Sequence, residues 1–172
     1  YTTLFRSKAS SSIVASNQIS REQAQTIAAS LDLKVNLNEE TLYGDVFELA
    51  QKIGAVLKSA ESGVYIWGGE PTIMLPNNPG QGGRNQSLAL ALSEHIKGRN
   101  DITILVAGTD GTDGPTNAAG GIVDGDTFGD SAVVSDYLQR ADAGSYLLMQ
   151  NNLLVTGPTN TNVMDLAIAI ID

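Results

Sequence analysis

The chain has 172 residues, 18 of them glycine and none cysteine, and a formal net charge of −9. Without cysteine there is no disulfide framework, thiolate nucleophile or Cys-based zinc site, and the acidic balance argues against nucleic acid or an acidic membrane as partner. No apolar run approaches membrane-spanning length and the first residues carry no signal-peptide pattern, so a cytoplasmic setting is expected.

Residues 1–12 are polar and Ser-rich and read as an unstructured leader. Ile13 to Ser16 is a short strand candidate. Ser20 with Gln23 forms a capping box, and Ala24, Ile27, Ala28 and Leu31 make one helical face behind it. Leu33 to Leu37 alternates apolar and polar, as a strand does. Leu42, Val46, Leu49, Ile53, Val56, Leu57 and Ala60 then keep helical spacing through a long amphipathic helix. This strand–helix–strand–helix order predicts a parallel sheet. Two such units make a thin core, so this half is expected to lean on a domain outside the chain. Lacking an initiator Met, the chain reads as the carboxyl-terminal piece of something longer.

The style changes at Gly63. Val64 to Trp67 is a strand running into Gly68-Gly69-Glu70-Pro71, and Thr72 to Leu75 is a second strand, expected to pair with it. A loop, 76–86, opens a helix with Leu88, Ala91, Leu92 and Ile96 on one face. Ile102 to Ala107 is a buried strand that gives way to Gly108-Thr109-Asp110-Gly111-Thr112-Asp113-Gly114-Pro115-Thr116. Glycine lets a ligand approach the backbone, and Asp and Thr bond neighbouring amides. Ile122 to Asp124 is a short strand, and Ser131 to Arg140 and Ser145 to Met149 are helical. Leu153 to Val155 opens into Thr156-Gly157-Pro158-Thr159-Asn160-Thr161-Asn162, and Val163 to Ile171 is the closing strand. Open α/β sheets bind ligands at strand ends, so the loops at 68–70, 80–86, 108–116 and 156–162 are expected to meet at one edge.

Gly82-Gly83-Arg84-Asn85-Gln86 places a guanidinium at a predicted helix start. Helix-terminal amides and an Arg fork together suit a carboxylate or phosphate; the competing reading is a structural ion pair. Asp110 and Asp113 suit Mg²⁺ with waters, or a general base toward a hydroxyl, or plain turn capping. Glu70 suits orientation of Arg84, or is a turn carboxylate. The uncharged loop 156–162 suits a polyol or phosphate, or is only a turn. Phosphate-loop, dinucleotide and Gly-x-Ser-x-Gly fingerprints are absent, and His95 is the only histidine, so a Ser-His-Asp triad is not expected.

Four motifs carry a resemblance: Gly68-Gly69-Glu70-Pro71-Thr72, Gly80-x-Gly82-Gly83-Arg84-Asn85-Gln86, the run from Ala107 to Thr116, and Leu154-Val155-Thr156-Gly157-Pro158-Thr159-x-Thr161-Asn162-Val163. In this order they resemble the MOFRL domain, the carboxyl-terminal half of glycerate 2-kinases, some of which are also called hydroxypyruvate reductases. The resemblance implies an α/β fold: a three-layer αβα-like MOFRL domain with a mixed sheet over 63–172. It would be preceded at 13–62 by a partial Rossmann-like βαβα segment, the remnant of an amino-terminal domain.

It further implies ATP- and Mg²⁺-dependent phosphorylation of D-glycerate at its 2-hydroxyl, in a cleft shared with a missing amino-terminal kinase domain. The piece alone would be inactive, and a homodimer is left open. By this carry-over Arg84 and Asp110 are the catalytic candidates, and Asp110 and Asp113 the metal ligands. Gly69, Glu70, Gly82, Gly83, Asn85, Gln86, Thr109, Asp113, Thr159, Thr161 and Asn162 complete the substrate-binding set. Ser87 stands where the family commonly has Glu, and Asn117 where it commonly has Asp; each removes a negative charge beside the site. The family's amino-terminal Lys and Gly/Ser-rich nucleotide loop have no counterpart here. The alternatives are a hydroxypyruvate reductase, for which the dinucleotide fingerprint is missing, or a non-catalytic ligand-binding module.

Overall fold

A computed structural model describes residues 10–172, so most of the leader at 1–12 lies outside the described residues. In chain order the elements are α1 (Asn17–Ser30), β1 (Val35–Glu39), β2 (Gly44–Asp45), α2 (Val46–Lys58), β3 (Gly63–Gly69) and β4 (Pro71–Thr72). There follow α3 (Arg84–His95), β5 (Ile102–Gly108), β6 (Gly120–Asp124), α4 (Ser131–Gln139), α5 (Ala143–Met149), β7 (Leu153–Leu154) and β8 (Asp165–Ile171). Six strands form one sheet in the order β1-β3-β8-β5-β6-β7, and β2 and β4 form a small parallel pair. Only β1 and β3 run parallel within the large sheet; every other neighbour is antiparallel, so the sheet is mixed. Among the described residues no helix is long and apolar enough to cross a membrane.

The period of two along β3 separates the layers. Val64 and Ile66 face one side and pack with Ala28 of α1, while Tyr65 and Trp67 face the main core with α2 and α3. The same alternation in β8 sends Ala167, Ala169 and Ile171 to the main core and Ile168 toward α1. Helices therefore cover both faces of the sheet. Helix α3 is the hub of the thicker side, buried continuously from Asn85 to Ser93. A one-sided apolar stripe understates such a helix, because α2 and α5 cover the faces the sheet does not.

Four expectations are corrected. Ile13 to Ser16 is not a strand; Ile13 and Val14 are exposed, and Ser16 caps α1 by accepting a hydrogen bond from the Ile19 amide at 3.1 Å. The helix thus begins one turn before the Ser20 capping box, a choice between two Ser residues that local sequence leaves open. The run Thr72 to Leu75 does not pair with β3. Both edges of β3 are taken, by β1 and β8, and β4 instead joins β2. Finally, the parallel βαβα unit at 13–62 is an α–β–β–α order. Strands β1 and β2 pair with β3 and β4 across the boundary at 63, and α2 lies in the main core.

Burial separates the apolar residues by their expected cost. Leu90→Ala, at a fully buried position of α3, is expected to lose about 2–5 kcal/mol in urea unfolding. Ile27→Ala, at a position 59% exposed on the face assigned to α1, is expected to lose about 1 kcal/mol or less.

Candidate active site

The site grows from the ends of the three central strands. Gly69 of β3, Asp165 of β8 and Gly108 of β5 stand side by side in register, so the loops that leave or enter there share one sheet edge. Arg84 opens α3 at the same edge, and a cleft of about 330 Å³ runs between the helix start and the 109–114 loop. Arg84, Asn85, Asp110, Asp113, Asn162 and Asp165 line it, together with Gly82 and Gly83.

The helix start does not offer its amides to a ligand as expected. Asp113, only 4% exposed, accepts from the Asn85 amide at 3.1 Å, the Gln86 amide at 2.8 Å and the Gln86 side-chain amide at 3.0 Å. An internal carboxylate therefore takes the anion position at the positive end of the helix. Gly83 is required by this approach: a Cβ there would sit 2.3 Å from the Asp113 carboxylate. With its oxygens engaged in this way, Asp113 caps the helix.

The 156–162 loop is tied down rather than open. Thr109 Oγ1 donates to the Met164 carbonyl at 2.7 Å and accepts from the Val163 amide at 2.8 Å, and Thr159 Oγ1 donates to the Thr109 carbonyl at 2.5 Å. Gly111, at φ +86°, lies so close to Gly157 that a Cβ would meet its carbonyl oxygen at 2.1 Å. Thr109 and Thr159 thus staple the two loops together. Asp110 stays half-buried on the cleft wall. Its Oδ1 accepts from the Thr112 amide at 3.0 Å, and Asn162 reaches its Oδ2 at 3.4 Å.

Arg84 is the cation of the cleft. Its Nε donates to Asp165 Oδ2 at 2.8 Å and its Nη1 meets Glu70 Oε1 at 3.0 Å. Burial pulls the guanidinium pKa down, but the two carboxylates outweigh it and hold it above the ordinary value. Asp165 escaped the sequence reading because it opens an apolar strand with no glycine beside it. Only its place between Gly69 and Gly108 discloses it. Asn17 escaped too: its side-chain amide donates to the Asp165 carbonyl at 3.1 Å and the Val163 carbonyl at 2.9 Å, joining α1 to the site.

Gly69, Glu70, Thr109, Thr159 and Thr161 do not line the cleft, although Glu70 reaches Arg84 from its rim. Gln86 faces a larger neighbouring hollow of about 420 Å³ across Pro115, with mainly apolar walls that include Leu148 and Val155. Asn117 also lies there, whereas Ser87 is buried in α3. Among the described residues no cluster of three His, Cys, Asp or Glu is poised for a metal.

The MOFRL family profile matches residues 63–165. The D-glycerate 2-kinase of Thermotoga maritima is 35% identical over 162 residues, covering 87% of this chain and 39% of the relative. The glycerate 2-kinase of Pyrococcus horikoshii is 37% identical, covering 92% of this chain and 39% of the relative. The crystal structure of the Thermotoga maritima glycerate kinase superposes with a TM-score of 0.87 at 34% identity, over 94% of this chain and 42% of that one. The chain thus spans about two fifths of the length of these relatives.

Two measurements test the cap. Asp113→Ala strands buried N–H donors and is expected to cost about 1–3 kcal/mol of stability in urea unfolding. Burial raises the carboxyl pKa of Asp113 against the Gln86 and Asn85 amides, and burial raises that of Asp165 against Asn85 and Arg84. The folded chain then keeps protons that the unfolded chain has released, so these two groups lower stability as pH rises from about 4 through their raised pKa values. Thermal midpoints across that window are expected to show this downward contribution, and Asp113→Ala to remove its share.

Proposed function

The chain belongs to the MOFRL family, and on that premise we propose that it is the carboxyl-terminal part of a glycerate 2-kinase. In this reading the γ-phosphate of ATP passes to the 2-hydroxyl of D-glycerate, in a cleft completed by an amino-terminal domain. The observation that carries it is Arg84: a guanidinium anchored from behind by buried Asp165, lining a cleft whose wall also carries Asp110. The names of the relatives at 35% and 37% identity support the same substrate.

Arg84 grips the carboxylate of glycerate, or the transferring phosphate, through its outer N–H groups. The hydroxyl oxygen attacks the γ-phosphorus, the bond to the ADP oxygen breaks, and the hydroxyl proton passes to Asp110. Phosphoryl transfer needs little more from a protein than positioning and charge neutralisation, which these two groups supply. Where Mg²⁺ takes part, Asp110 would be the carboxylate of this cleft to hold it, and the ion's charge would then neutralise the phosphates in place of Asp110 acting as base. Asp113 is left out, because N–H donors engage its oxygens. The nucleotide itself is assigned to the amino-terminal domain.

Joined to that domain the chain is expected to turn over ATP and D-glycerate, and by itself to show no turnover. In the joined protein Arg84→Lys separates catalysis from structure. Lysine keeps the charge beside Asp165 but lacks the planar fork. Losing one charge-assisted hydrogen bond in the transition state lowers kcat/KM roughly ten- to a hundredfold, while stability falls by about 1–2 kcal/mol. Unchanged kinetics in the folded variant would make Arg84 structural and remove the proposal's main support.

A further inference from the structure

We propose that Glu70 is an exchangeable occupant of the ligand edge of Arg84, displaced when an anionic substrate group binds, whereas Asp165 keeps its hold. This rests on the glycerate reading for the identity of the anion, but not for the exchange itself.

Two carboxylates meet one guanidinium, and they differ in what decides mobility. The Asp165 side chain is 3% exposed, hydrogen-bonded to Nε, and fixed by strand register between Gly69 and Gly108. The Glu70 side chain is 53% exposed and stands just beyond the end of β3. Among the described residues Arg84 is its only charged or hydrogen-bonded partner. Its backbone is held on both sides, by Gly69 in the sheet and by Pro71 paired with Gly44, so leaving Arg84 requires only side-chain rotation.

The geometry of the fork favours the exchange. A carboxylate or phosphate binds arginine best through two parallel N–H···O bonds. Asp165 takes Nε, and Nη2 has no partner among the described residues. An incoming anion that uses both outer nitrogens therefore has to share Nη1 with Glu70, whose carboxylate stands 3.0 Å from that nitrogen and repels the anion. Charge points the same way. Without ligand the trio of Arg84, Asp165 and Glu70 carries one positive and two negative charges, which opposes any further anion until Glu70 swings into water. A solvated ion pair is weak enough to be given up.

Glu70 thus sets a threshold that only a group stronger on the fork than a tethered carboxylate passes. Titration calorimetry of the chain joined to its amino-terminal domain, at fixed ionic strength, tests this with D-glycerate, inorganic phosphate and neutral D-glyceramide. Glu70→Ala is expected to bind both anions roughly two- to fivefold more tightly than the parent, with Glu70→Gln between them and glyceramide unchanged. The position is exposed, so thermal midpoints are expected to stay level. Weaker or unchanged anion binding would overturn the exchange and make Glu70 a ligand or a support. Equal tightening of glyceramide would also overturn it, because the effect would then be steric. Tighter phosphate without glycerate binding to either protein would keep the exchange and remove the glycerate reading. Anion binding to neither protein would remove both.

Discussion

A buried carboxylate on a helix end holds this structure together. Asp113 sits at the amino terminus of α3, its oxygens shared by the Asn85 and Gln86 amides and the Gln86 side chain. Helix starts carry unpaired N–H groups and a partial positive charge, and a carboxylate satisfies both. Here the cap comes from a loop 27 residues further along the chain than Gln86, so the cap is also a tertiary clamp. It fixes the 109–114 loop against the residue that opens the helix, Arg84, and thereby sets the width of the cleft.

The clamp works because its neighbours are packed in place. Helix α3 is buried along its length between the sheet, α2 and α5, so its first turn is a rigid platform. The opposing loop is stapled in turn by Thr109 and Thr159, through which the loops before β8 and after β5 become one unit. Strand β8 completes the frame. Entering antiparallel between β3 and β5, it brings Asp165 between the two strand ends, where its carboxylate reaches Arg84. Glycines at 83 and 111 permit these approaches, because a methyl group at either would strike a carboxylate or a carbonyl.

The charges of the cleft follow a simple division. Asp165 is inaccessible and directional and aims the guanidinium; Glu70 is solvated and weakly held; Asp110 faces the space between. Burial raises the carboxyl pKa of Asp113 and Asp165 while Arg84 remains firmly cationic. The cleft thus stores cost in buried acids and keeps one cation aimed outward, an arrangement suited to an anion arriving from solvent.

The sequence by itself determined which segments fold and where the polar chemistry clusters. Apolar periodicity placed α2, α3, α4, β3, β5, β6 and β8 close to their observed bounds, because these elements bury a regular face. The Gly, Asp and Thr runs marked the loops at the sheet edge, and Arg84 stood out as a cation beside permissive residues. Tertiary structure decided the rest, because it depends on residues far apart in sequence. Periodicity does not say that β4 pairs with β2, since a two-residue strand carries no pattern. Composition does not distinguish a metal-ligating Asp from a capping one; only the donors around Asp113 do that. Asp165 is one acid before an apolar strand until β8 slides between β3 and β5, and that insertion makes it the partner of Arg84, 81 residues away.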